Sequence, residues 1–126
     1  MSELASNIGV IPITVSNTTS ATDFPRGTRL TNASGAYAIC PDATTRGDVI
    51  TLVDIPAGDT GAAALIAQGG ISVLFDGAIS SGALAYASTS SGMCSPTSAS
   101  AALMGRCRQA VSSSGFLGEV LLFTVA

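Results

Sequence analysis

The sequence predicts a mainly β domain: a small barrel with a bent ribbon, an extended N-terminal arm and little helix. Three observations carry this. Hydrophobic residues are 47% of the 126, yet aromatics are 5% and Trp is absent. The apolar content is mostly Ala, Val, Ile and Leu, set among many Gly, Ser and Thr, a mix that suits short strands and tight turns. Second, Ile71, Val73 and Phe75 alternate with Ser72, Leu74 and Asp76, which puts side chains on opposite faces of an extended backbone. Third, Asp76-Gly77 and Ser80-Ser81-Gly82 break that run with residues that form turns. Gly70–Ala87 therefore reads as three short strands in a bent ribbon, over which flanking strands close.

The length suits one domain with one core. Residues 1–23 read as an arm and polar linker, and 24–126 as the β domain. In Ile8–Val15 (IGVIPITV), Pro12 cannot donate to a ladder, so this is an edge strand or an arm. An apolar strand tethered by the polar run Ser16–Asp23 could add onto another sheet, or be the first strand of its own barrel. Thr28–Thr31 and Ala36–Cys40 read as strands about a Gly-containing connection, Asn32–Gly35. Asp48–Ile55 is the next strand. Val49, Thr51, Val53 and Ile55 lie on one face, and Ile50 and Leu52 on the other, so both faces should be covered, by the core and by a neighbouring chain or loop. Ala62–Gln68 fits a short helix or a strand. Met93–Ser95 is a short strand. Gly105 argues against a helix around Leu103–Ala110, which reads as a strand. Ser112–Gly115 then turns the chain into a terminal apolar strand, Phe116–Val125. No internal repeat is apparent.

Charge excludes several functions. There is no Lys and no His, and five Arg against eight acids leave a net charge of −3. So few cations give no footprint for a phosphate backbone, and four Phe and two Tyr give no stacking platform, so nucleic acid is not an expected partner. Without His, the commonest general base and the Ser-His and Cys-His nucleophile pairs are missing. Without Lys, Schiff-base chemistry and carrier attachment are missing too. Neither a GxSxG nor a phosphate-loop motif occurs. Asp54 with Asp59, and Asp42 with Asp48, could form carboxylate pairs, but each flanks a loop, where turn chemistry accounts for it. Asp76 and Gly77 read as turn formers only. Arg106 and Arg108 alternate along one strand and face the same side, either as a solvated face or as an interface contact to an anion or carboxylate. No catalytic residue, cofactor, metal or small-molecule substrate is expected.

Cys40, Cys94 and Cys107 form no CxxC, and no His could complete a zinc site. MSELASNIG lacks a basic n-region, so no signal peptide is expected, and no apolar run reaches membrane-spanning length. Three buried free thiols in a reducing compartment follow, with a Cys94–Cys107 bridge as the alternative.

A pattern of blocks adds to this reading. GDVITL (Gly47–Leu52) precedes the Gly-led GISVLFDGAISSGALAY (Gly70–Tyr86). LMGRCRQA (Leu103–Ala110), a Ser/Gly turn and GEVLLF (Gly118–Phe123) follow. Over Gly47–Phe123 the chain resembles the capsid decoration, or cement, proteins of tailed bacteriophages. The resemblance implies a small β domain, in some members a β-clip. It implies trimers, sometimes monomers or dimers, made in the host cytoplasm and seated on the outer surface of the head. There they would bridge subunits of the major capsid protein and stabilise the shell against packaged DNA. It also implies an N-terminal segment that adds a strand to a capsid sheet, with Ile8, Val10, Ile11, Ile13 and Val15 as contacts interrupted by Pro12. The rival readings are a tail- or fibre-associated β module or adhesin, and a trimeric β-clip hydrolase. The hydrolase would need carboxylate clusters and a basic phosphate grip that the sequence does not display.

Overall fold

In the computed structural model, which describes residues 11–19, 21–41, 43–66, 69–88, 92–97 and 101–122, ten strands form. No helix occurs among the described residues. Ser34 and Gly35 both take positive φ, 56° and 86°. Two such residues make the turn whose twist matches that of paired strands, so β2 (Arg29–Ala33) folds directly back onto β3 (Ala36–Ile39). β2 also pairs with β4 (Val49–Thr51), β4 with β5 (Thr60–Leu65), and β5 with β1 (Pro12–Ser16), all antiparallel. The first sheet thus runs β1-β5-β4-β2-β3. Pro12 sits at the first position of an edge strand, where its missing donor costs no ladder bond.

The second sheet is built from β6 (Gly69–Leu74), β7 (Leu84–Ala87), β8 (Cys94–Ser95), β9 (Leu103–Cys107) and β10 (Leu117–Leu122), in the order β6-β10-β9-β7-β8. That is the first order over again, five strands later. The match extends to single residues. Phe24 and Ile55 exchange backbone hydrogen bonds outside the strands in the first half, and Ile79 and Val111 do so in the second. Gly27 N donates to Thr51 O, and Gly82 N donates to Cys107 O. Both of those glycines hold positive φ, 81° and 89°. Gly61 faces Val15 across β5 and β1, as Gly118 faces Val73 across β10 and β6. The chain is therefore a structural duplication, which corrects the expectation of no internal repeat.

Alternation divides the apolar residues between two cores. Leu30, Val49 and Ala63 share one face of the first sheet and close, with Val15, Phe24 and Ile55, into a cluster built wholly from that half. The edge strands β1 and β3 curl into contact, so this half is barrel-like. Ile50 and Ala64, on the opposite face, join Val73, Phe75, Val120 and the rest of the second-half cluster. The end of β6 closes toward β8 through a parallel bridge between Phe75 and Cys94. Burial on both faces of β4 is thus satisfied inside one chain by the two halves. β4 is shorter than the sequence suggested: after Thr51 the backbone bends, Val53 is exposed, and Ile55 turns inward beside Phe24.

The Gly70–Ala87 ribbon also needs correction. β6 and β7 lie in one sheet but are not neighbours, because β10 and β9 are inserted between them. The Ala78-Ile79 piece makes only the isolated bridge to Val111. Ala62–Gln68 resolves as strand over its first part, within β5. The terminal hairpin holds as β9 and β10, and its Gly105 is required by packing: a Cβ there would lie 2.1 Å from Leu121 O.

Candidate functional site

Three places in the fold gather polar or exposed chemistry. The first is Arg29. The alternation that puts Leu30 in the first core turns Arg29 toward the junction of the halves, where it is fully buried. Its Nε donates to Met93 O at 2.9 Å, Nη1 to Thr45 O at 2.9 Å, and Nη2 to Ser88 O at 3.0 Å. Nη1 also lies 3.3 Å from Cys40 Sγ. One planar guanidinium thus ties the 88–93 connection to the first sheet, a task that suits its fork of donors. Arg46 crosses the same junction, donating from Nη2 to Met104 O at 3.0 Å, and partial burial lowers its pKa.

The second place is a cleft of about 240 Å³ lined by Ala43, Asp76, Ala87, Ser88, Ser95, Thr97 and Ala101. Asp76 accepts a hydrogen bond from Ser88 Oγ across it. Asp76 is the carboxylate among the described residues that line the cleft, and it is engaged by one hydroxyl. Burial pushes the Cys94 thiol up to about 12, so it is not a nucleophile at neutral pH. Among the described residues no group of three or more His, Cys, Asp or Glu could hold a metal ion.

The third is the outer face of the second sheet. β10 turns Val120 and Leu122 inward and leaves Leu117 and Leu121 exposed, the latter by 42%. Register sets Leu121 opposite Arg106, and Arg106 opposite Leu84. The register shift beside Ala85 lets Met104 stay buried while Leu103, paired with Tyr86, is exposed. The result is an apolar face crossed by charge. Arg106 Nη1 donates to Gly82 O at 2.6 Å, and Arg108 Nε lies 3.4 Å from Glu119 Oε1.

The residues singled out from sequence fall as follows. Arg106 and Arg108 do share this outer face. Ile8 and Val10 lie outside the described residues, as does Asp42. Ile11 is exposed and Ile13 half-buried, but Val15 is fully buried in the first core and offers no side chain to a partner. Residues 12–16 pair with β5 in the first sheet. Asp54 accepts from Arg26 N and Asp48 from Asn32 N, so each carboxylate ties its segment to one distant in sequence rather than turning its own loop. Cys40, Cys94 and Cys107 are buried thiols, and no Cys94–Cys107 bridge forms. Arg29 went unnoticed in the sequence, because nothing local within Thr28–Thr31 reveals that Ser88, Met93 and Thr45 close over it.

No family model matches the chain, and no curated protein matches it. Among solved structures it is similar to the N base of head fiber gp8.5 of bacteriophage phi29. The TM-score is 0.69 and identity 14%, over 90% of this chain and 93% of that one. At that identity the likeness establishes a shared fold across nearly the whole of both chains.

Proposed function

We infer that the protein is a structural component of a phage particle, seated on the outer surface of the head through contacts with the major capsid protein. The observation that carries this is the fold shared with the phi29 head-fiber base over nine-tenths of the chain. The sequence supports it independently: catalytic residue types are scarce and the charge is acidic, which keeps a free subunit off packaged DNA. In this reading the work is mechanical. Several modest contacts to a repeating shell add through effective concentration rather than individual strength. Phe116 is the candidate anchor. It is 59% exposed at the turn before β10, and an exposed aromatic on a fixed turn suits a capsid pocket.

A second reading follows from the same neighbour. In that reading the chain holds to the head as a base and leaves the shell unbraced, whereas in the cement reading it raises the shell's resistance to pressure. Purified protein is incubated with expanded cognate heads lacking it, sedimented, and imaged. Co-sedimentation with density on the head surface supports both readings, and absence of binding or density confined to the tail overturns both. Heat release of DNA from decorated and bare heads separates them: a raised release temperature marks cement, and an unchanged one marks a base.

A further inference from the structure

The duplication leaves one face without the cover its counterpart has. In the first half, the face of β4 and β5 bearing Ile50 and Ala64 is buried against the second half, with Leu52 packed beside it. Ile50 pairs with Ala64 just as Arg106 pairs with Leu121, and Leu52 N donates to Ala62 O as Arg108 N does to Glu119 O. The second-half equivalents of the buried Ile50 and Ala64 and the half-buried Leu52 are therefore Arg106, Leu121 and Arg108, and all three are exposed. On the receiving side, the second half contributes Ile71, Leu122 and Met104 to the junction cluster. By the same correspondence the first half holds Ile13 and Leu65 there, with Leu65 exposed.

We propose that a second copy of this chain docks head to tail, its first half receiving the Arg106–Leu121 face as the second half receives the Ile50–Ala64 face within one chain. At this external junction Leu121 of one copy is set against Leu65 of the next, two leucines that the single chain leaves exposed. Because the two surfaces differ, the contact is heterologous, and repetition closes a ring when the rotation per subunit allows it. The inference does not depend on the capsid reading, since it concerns copies of this chain alone.

The test uses two surface variants of the full chain, Leu121→Glu and Leu65→Glu, with circular dichroism to verify that each keeps its β spectrum. Light scattering during gel filtration is expected to give the unmodified protein a mass that is a multiple of 12.4 kDa. Each variant alone runs as a monomer. Mixed, they form a species of two chains and no larger, because one retains a working donor face and the other a working receiving face. A monomeric unmodified protein, a Leu65→Glu variant that still assembles, or a mixture that stays monomeric overturns the proposal. A self-complementary contact through the outer sheet face alone would give the second of those results.

Discussion

Arg29 shows how much of the assembly of the two halves rests on one side chain. Its three donated backbone contacts reach carbonyls on segments far apart in sequence, and a buried acceptor left without its donor costs about 1–3 kcal/mol. Lysine keeps the charge but cannot present the planar fork. Arg29→Lys is therefore expected to lower stability by roughly 2–4 kcal/mol in urea titration, with the slope against denaturant unchanged. Cys94 makes a second prediction at this scale. Its folded pKa is raised by burial from 9.0 to about 12, with Arg29 working against the shift and Asp76 with it. A raised pKa means that the folded state holds the proton longer than the unfolded chain does. Its contribution is fully present below pH 9 and is lost as pH rises toward 12. Unfolding midpoints should be steadier through that window in Cys94→Ala than in the unmodified chain. A thiol reagent at pH 8 should label position 94 only in denaturant. Equal pH dependence in the two proteins would contradict the burial argument.

At the scale of elements, hairpins were legible and the pairing of distant strands was not. Ser34-Gly35 and the Ser/Gly turn before Phe116 announce their hairpins because the turn chemistry is local. That β10 and β9 slip between β6 and β7 depends on contacts far apart in sequence, which no alternation pattern encodes. The duplication hid for a related reason. What the halves conserve is the role of a position: Phe24 answers to Ile79, Ile55 to Val111, Thr51 to Cys107, and insertions in the loops shift the offset along the chain. Glycine is the exception, because packing permits nothing else. A Cβ on Gly61 would come within 2.7 Å of Ile55, and one on Gly118 within 2.5 Å of Val111. The matched substitutions Gly61→Ala and Gly118→Ala should therefore destabilise alike, each by roughly 1–3 kcal/mol from overpacking. Thermal unfolding of the two variants checks this, and a neutral result at one site alone would break the equivalence of the halves. The candidate site was legible only in part: Arg106 and Arg108 stood out by their spacing, whereas Val15 passed for a contact residue because its burial is set by strands that follow it.

For the whole molecule, the question is whether two equivalent halves fold as two units or one. Each has its own strand set, and the first has a closed cluster. Against independence, Ile50 and Ala64 are buried in the cluster supplied mainly by the second half, and Arg29 finds two of its carbonyl partners, those of Ser88 and Met93, there. A half expressed alone would expose that apolar face and strand a guanidinium among unmet partners, which for so small a unit outweighs the core it retains. The expectation is one cooperative transition, with coincident midpoints from far-ultraviolet circular dichroism and from tyrosine fluorescence. Tyr37 reports on the first half and Tyr86 on the second, so Tyr37→Phe and Tyr86→Phe variants separate the signals. Two resolved midpoints would mean that each half is a domain in its own right. Coincident midpoints would mean that the internal junction has become part of a single core.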